Sequence, residues 1–516
     1  MSETILRILT VSDVHGSLLD VNYANNLPTT WGLSRLASAI RQKRDPNTIL
    51  VDSGDTIQGS PLLYFHQTHR HDFENPAATV YNELSFDYYV PGNHDFNYGQ
   101  DYLLDFVHQL HATPLSANLL LSNGNPFLGK GFDVRVIDGI RIAFVGVTTD
   151  YIPNWERKEH IDNLTFLSPL DAIEKSIQAL HKSYDALVVI YHGGFERDLH
   201  TKQQYVEDTL ENVGSRILER FPEIDVLLTG HQHRTIAEII GNTAVIQPAS
   251  NGRMMGEVEL RFAKSEEGVH LLDKKVSLIQ AKDYPADPAF RFLLSDIQES
   301  TNIFLDEPIG FVPEKDLKIT DLFAARRDKH KIVTFINQVQ LMASQAMISA
   351  TSLGNDVTGF DETISIRNVL STYVYPNTLT VVKIDGLRLK QALEKNAEYF
   401  LLQDGVLTSH PKFSYPKVEH YNYDMFDGIA YTIDVKRPIG ERITSLRYAG
   451  KPVQEDQWVT LVLNNYRAAG GGEFEMYRGL EIVKEIPFDI SELLIEHIRA
   501  RKTIHVPNIE NIHVLT

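Results

Sequence analysis

The sequence predicts a layered α/β domain followed by an α+β domain, and three observations carry that prediction. The first half repeats one grammar: a short β-branched run, a polar cluster containing Gly, then a helical-looking stretch. That grammar stops near Tyr284-Pro285-Ala286-Asp287-Pro288, and the texture beyond it is mixed. At about 150 residues per domain, a chain of 516 residues makes roughly three domains or two large ones. The resulting division is a domain at 1–284, a linker helix at 285–305 and a second domain at 306–516.

In chain order the β-branched runs are 5–11, 48–51, 88–90, 141–147, 186–191 and 226–228, and five of the six lead straight into a cluster of Asp, Asn or His. In layered α/β sheets ligands gather beyond the carboxyl ends of the strands, so these clusters should converge in space although they lie far apart in sequence. Residues 289–305 read as an amphipathic helix with Phe290, Leu293, Leu294, Ile297 and Ile303 on or near one face. Beyond it the pattern predicts a helix at 334–350, a strand at 379–384, a helix at 388–400 and strands at 429–435 and 458–463.

Composition narrows the chemistry. Hydrophobic residues at 43% and charged residues at 23% are those of a globular chain, and no apolar run approaches the roughly 18 residues of a membrane span. Zero cysteines exclude a disulfide framework, a thiolate metal site and a cysteine nucleophile, so any metal must sit on nitrogen and oxygen. A formal charge of −19 has the wrong sign for docking on a nucleic-acid polymer or an anionic membrane. Residues 1–11 carry one Arg, a short apolar stretch and no small-residue cleavage site, which reads as a first strand; the expected location is the cytoplasm, or outside it if a leader was removed.

Five clusters follow strands: Asp13-Val14-His15-Gly16, Asp52-Ser53-Gly54-Asp55, Gly92-Asn93-His94-Asp95, His192-Gly193-Gly194 and Gly230-His231-Gln232-His233. Each alone reads as an ordinary cap or turn. Together they offer oxygen and imidazole donors for two metal ions, a set suited to Mn²⁺ or Zn²⁺, with Fe²⁺ and Co²⁺ also in range, rather than Ca²⁺. Two metals about 3.5–4 Å apart need a bridging oxygen, and Asp55, alone on its own tight turn, is the candidate.

The series D-x-H, G-D, G-N-H, H-G, G-H-x-H resembles the calcineurin-like metallophosphoesterase superfamily, and the two-domain length resembles its 5′-nucleotidase branch. The resemblance implies a layered αββα N-terminal domain and a C-terminal nucleotide-binding domain. It implies Asp13, His15 and His233 on one divalent metal, Asn93, His192 and His231 on the other, and Asp55 between them. His94 would lie beside the phosphate as a donor, with Asn97 in the catalytic set. Segments 32–36, 92–99, 375–379, 421–424 and 464–472 further resemble the bifunctional 2′,3′-cyclic-nucleotide 2′-phosphodiesterase/3′-nucleotidases. The 5′-nucleotidases of the branch carry Asp where this chain has Asn97, and a Gly-rich, Arg-containing stretch that 349–355 does not match; both differences favour the cyclic phosphodiesterases.

The implied substrates are small nucleotides. The resemblance assigns Tyr421 and Tyr466 to an aromatic clamp, where stacking is worth about 1–3 kcal/mol per base. Arg467, Gly470 and Gly471 would approach the ligand, and Arg367 would orient it, its plainer reading being an exposed arginine on a strand. Other clusters take plainer readings. His66, His69 and His71 follow no strand and read as a surface segment, His108 and His111 as helix surface, and Glu207, Asp208 and Glu211 as a solvated helical face. The rival functions are a 5′-nucleotidase or nucleotide-sugar hydrolase on the same fold and a nucleotide-binding interaction protein without catalysis.

Overall fold

In the strand Ser2–Val11, Leu6 and Ile8 fall on one face and Leu9 and Val11 on the other, and all four are fully buried. A strand apolar on both faces belongs inside a stack of layers. The computed structural model, which describes residues 2–516 apart from 204–209, 267, 376, 416 and 487, shows that stack. The chain forms two compact units, 1–301 and 302–516.

In the first unit one six-stranded sheet runs in the order Gly268–Gln280, Met254–Ser265, Ser2–Val11, Thr48–Asp52, Tyr88–Tyr89, Thr113–Pro114. The second runs Thr235–Ile240, Thr243–Pro248, Val226–Thr229, Ala186–His192, Ile140–Thr148, Phe132–Ile137. Leu6, Ile8, Ile49 and Val51 from the first meet Ile142, Phe144, Val188 and Ile190 from the second in one core. The period of two then assigns the outer layers. Leu187, Val189 and Tyr191 turn away from that core onto Ile173 and Ile217 of the helices Pro169–Leu180 and Gly214–Arg220. On the other side, Tyr88 stacks on Phe144 of the facing sheet while its neighbour Tyr89 meets Phe106 of the helix Gln100–Gln109. The order of layers is helix, sheet, sheet, helix. Central strands of both sheets are parallel, so their carboxyl ends share one rim.

In the second unit a five-stranded sheet runs Asp424–Asp427, Ile348–Ser352, Trp458–Asn464, Leu379–Asp385, Glu481–Ile486, and a four-stranded sheet is built on Ile429–Asp434. Among the described residues no helix is long and apolar enough to cross a membrane.

Three sequence expectations need correction. The helix expected at 334–350 is Lys331–Ser344; Gln345 takes a left-handed conformation that ends it, and Ile348–Ser352 is a buried strand. The helix expected at 289–305 is two, Pro288–Leu293 and Ser295–Leu305, and while Phe290, Leu294 and Ile297 are buried, Leu293 and Ile303 are exposed. Arg367 stands on the helix Ile366–Thr372, not on a strand.

Asp52 ends its strand inside the protein, accepting from Gly54 N at 3.1 Å and bonding the Thr56 hydroxyl, and so shapes the turn that presents Asp55. Burial, against the Thr56 hydrogen bond and helped by Asp95, pushes its carboxyl up to about 8. The native state therefore keeps this proton between the ordinary value of 3.8 and about 8 while the unfolded chain loses it, so this contribution to stability falls as pH rises across that window. Asp52→Asn is neutral throughout. Urea unfolding should move in favour of the variant, relative to the parent, between about pH 5 and about pH 8; a difference independent of pH would refute this account of Asp52.

Candidate metal centre

The turns after the parallel strands use unusual backbone. Asp13, His15, Asp55, His231 and His233 have φ of 53°, 48°, 59°, 69° and 56°. Left-handed residues other than Gly cost about 1–2 kcal/mol each, and Asp, Asn and His bear it best. The turns are bonded to each other: Asp13 N donates to Gly54 O at 2.8 Å and His15 N to Asp55 O at 2.9 Å. Gly92 closes the approach from the next strand, since a Cβ there would lie 2.2 Å from Asp55 Oδ1 and 2.6 Å from His192 Cε1.

The side chains converge as two groups, Asp13 with His15 and His233, and Asp55 with His192 and His231, each with donor atoms within 4.8 Å of one another. Asn93 Oδ1 lies 2.9 Å from His231 Nδ1 and 3.2 Å from His192 Nε2, which places it in the second group. Asp55 Oδ2 reaches both, at 3.2 Å from His192 Nε2 and 3.9 Å from His15 Nε2.

Chemistry decides how the rings are oriented. His15 Nδ1 donates to Gln58 O at 3.2 Å, His192 Nδ1 to Ser53 O at 2.7 Å and His231 Nε2 to Glu211 Oε1 at 2.8 Å. Each of these acceptors takes the hydrogen of the outer nitrogen and turns the other nitrogen inward as a donor of electrons. Asp55 Oδ2 is buried and has no hydrogen-bond donor among the described residues. An orphaned carboxylate oxygen facing inward-turned imidazole nitrogens is the environment that divalent cations fit.

Charge points the same way. Burial opposes ionisation of Asp13, but the hydrogen bond and charge of His233, with His192, hold its carboxyl at about 2. Asp55 is likewise drawn well below its ordinary value, burial being outweighed by His192, His94 and His15 together. Burial, with the neighbouring His233 and His94, carries His15 down to about 3 against Asp55, whereas burial at His192 is overridden by Asp55, with Asp13, and its value rises to about 10. Two buried carboxylates thus stay ionised, balanced in the metal-free protein by charge on the histidines around them, a balance that a bound cation would take over.

His94 stands apart from both groups. Its backbone N donates to Asp55 Oδ1 at 2.7 Å, its ring lies edge-on to His15, and its Nδ1 is 2.8 Å from Asn97 Oδ1.

In the second unit, Asn464 ends a strand and caps the one-turn helix Asn465–Ala468 that carries Tyr466 and Arg467. Tyr466 and Tyr421 are both half-buried neighbours: burial first, then Glu419 and the phenols of Tyr466 and Tyr375, pushes the Tyr421 phenol well up. Tyr375 meets Tyr421 edge-on. Arg467 does not offer a ligand contact. It is 1% exposed and spends its guanidinium on Asp424 at 2.7 and 3.3 Å, Asn422 Oδ1 at 3.2 Å, Tyr421 O at 3.1 Å and Gly471 O. It fastens the strand of Asp424 and the backbone of Tyr421 to the turn of Tyr466. The Gly471 backbone approaches the Tyr466 ring, which a Cβ would meet at 2.5 Å, and Gly470 abuts Arg478. Arg367 is also buried, held by Asp306 at 2.7 Å and Asn302 at 3.2 Å.

Sequence reasoning missed Asp95, Glu156 and Glu211. Glu211, read as a solvated face, hydrogen-bonds a candidate ligand; Glu207 and Asp208 lie outside the described residues. His66, read as surface, is buried and bonded to the Tyr102 hydroxyl at 2.8 Å, whereas His71, His108 and His111 are exposed.

Residues 6–235 match the calcineurin-like phosphoesterase family and residues 308–479 the 5′-nucleotidase C-terminal domain. The solved structure of a provisionally assigned 5′-nucleotidase from Staphylococcus aureus superposes with a TM-score of 0.89 at 33% identity, over 99% of this chain and 100% of that one. The chain belongs to the 5′-nucleotidase family of calcineurin-like phosphoesterases. Within this family of phosphoric ester hydrolases it is 27% identical to the 2′,3′-cyclic-nucleotide 2′-phosphodiesterase/3′-nucleotidase of Haemophilus influenzae, over 97% of this chain and 85% of that protein. It is 25% identical to a trifunctional nucleotide phosphoesterase protein of Bacillus subtilis over 98% of its own length, and spans 38% of that longer relative. Calcineurin-like phosphoesterases use divalent metal ions, in keeping with the two donor groups.

Asp95 accepts from the backbone N–H groups of Asp55, Thr56, Ile57 and Gly92 and from the Tyr89 hydroxyl, at 2.7–2.9 Å. Asp95→Asn turns an NH₂ against buried N–H donors, each worth about 1–3 kcal/mol when left unsatisfied. The variant should unfold at lower urea by about 3 kcal/mol and bind less metal. Unchanged unfolding and metal content would disprove this role.

Proposed function

We infer that this chain hydrolyses 2′,3′-cyclic nucleotides to 3′-nucleotides and then to nucleoside and phosphate, using two divalent cations, Mn²⁺ or Zn²⁺. The observation that carries the reading is Asn97 against His94 in a chain whose relatives over most of its length include the cyclic-nucleotide enzymes. Asp13, His15 and His233 would hold one cation, Asn93, His192 and His231 the other, with Asp55 shared. When bound, the cations supply Lewis-acid activation of water and neutralise phosphate charge. His94, carrying a second hydrogen on Nε2 as the imidazolium, would give a hydrogen bond or that proton to the departing 2′-oxygen and be left neutral, with Nδ1–H still committed to Asn97. Tyr421 and Tyr466 stack the base.

A second reading, 5′-nucleotidase, is favoured by the name of the Staphylococcus aureus relative at 33% identity. A panel of 2′,3′-cyclic AMP, 3′-AMP, 5′-AMP and UDP-glucose with Mn²⁺ separates the two. The cyclic and 3′ substrates should give kcat/KM at least about tenfold above the others, and chelation should abolish turnover; preference for 5′-AMP or UDP-glucose would sink the reading. Tyr466→Ala should raise KM between about fivefold and about a hundredfold, the equivalent of one stacking contact, with kcat nearly constant. A fall in kcat alone would remove Tyr466 from base binding.

A further inference from the structure

Asn97 ends in an amide whose two atoms have opposite chemistry, so something must decide which of them faces His94. Asn97 Nδ2 lies 2.6 Å from Glu156 Oε2, and a carboxylate only accepts; the NH₂ is committed there and Oδ1 is turned toward His94. His94 Nδ1, 2.8 Å from that oxygen, must carry a hydrogen, which leaves Nε2 as the nitrogen that can take up a second hydrogen and present it to a phosphoester. Glu156 is itself fixed. Its other oxygen accepts from Arg157 N and His160 Nδ1, both at 2.9 Å, and its side chain is 6% exposed. It sits between the short helical turns Ile152–Asn154 and Lys158–His160, and the adjacent Trp155 stacks on His231 with ring centroids 5.5 Å apart.

We propose that Glu156 is a positioning residue for His94, acting through Asn97 to set its tautomer and ring orientation. The proposal rests on the reading that His94 serves the leaving oxygen. The charge of Glu156 reaches the imidazole through one polarised amide, where a directly paired carboxylate would touch the ring. This polarity can be inverted in one way that keeps every donor facing an acceptor: Asp at 97, still accepting from His94, and Gln at 156, now donating to it. Asp at 97 with Glu156 retained would instead bring two carboxylates into the place of a 2.6 Å hydrogen bond.

The test is a double-mutant cycle at 97 and 156 on the full-length, Mn²⁺-loaded protein, paired with nitrogen-15 histidine spectra of the metal-free protein. Glu156→Gln and Glu156→Leu should lower kcat about tenfold to a hundredfold with KM within about twofold, the range for residues that orient a functional imidazole. Asn97→Asp should lose more, and Asn97→Asp combined with Glu156→Gln should recover most of that loss. In the spectra, the His94 resonance should report hydrogen on Nδ1 in the parent and a mixture in Glu156→Leu. Wild-type kcat in both Glu156 variants, or a double variant no better than Asn97→Asp, overturns the proposal. If no nucleotide is turned over by the parent, the functional reading fails, and the His94 spectra still decide whether Glu156 sets the tautomer.

Discussion

One carboxylate holds the rim of the first unit together. Asp95 gathers four backbone N–H groups from two turns that follow different strands, and the phenol of Tyr89 from one of those strands. Those turns carry Asp55 on one side and Asn93 with His94 on the other, and His94 N in turn donates to Asp55 Oδ1. The three side chains therefore share one anchor and keep their spacing as a unit. Only Asp or Glu can do this, because both terminal oxygens must accept at once. The same logic repeats with different partners in the second unit, where buried Arg467 gathers five acceptor atoms and ties Tyr421 to the turn of Tyr466.

Much of the first unit was legible in the sequence. Runs such as Leu187-Val188-Val189-Ile190 are apolar on both faces, which marks a strand between layers, and the polar cluster directly after each run marks the rim. The clusters that contain the seven candidate ligands follow from that rule, since the parallel strands bring their ends to one side, while the choice of ligands within them came from the family resemblance. The supporting residues were not legible. Glu156 meets Asn97 across 59 residues and Glu211 meets His231 across 20, and both lie well beyond the end of the preceding strand, outside the clusters that follow a strand directly. Arg467 misled for a related reason: an arginine beside a glycine run resembles a ligand contact until Asp424, 43 residues away, is seen to neutralise it. At 334–350 the apolar pattern continues through Ile348, and a short apolar run cannot tell a helix end from a buried strand; the left-handed Gln345 makes the break.

The backbone of the rim is held in costly conformations at five of the candidate ligands. Such conformations persist only where the surroundings over-determine them, and here the surroundings are the cross-bonds between turns and the Asp95 anchor. Donor atoms are therefore held in place by the protein before any ligand arrives, which reduces the ordering that binding must accomplish.

The allocation of ligands between sheets has a mechanical meaning. Asp13, His15, Asp55 and Asn93 descend from one sheet, while His192, His231 and His233 descend from the other, and each donor group draws on both. A cation in either group would thus be a clasp between the two halves of the sandwich. In a chain with no cysteine, one held by Asp13, His15 and His233 would close a loop from Asp13 to His233 much as a disulfide would, with bonds that chelation could open and resupply could close.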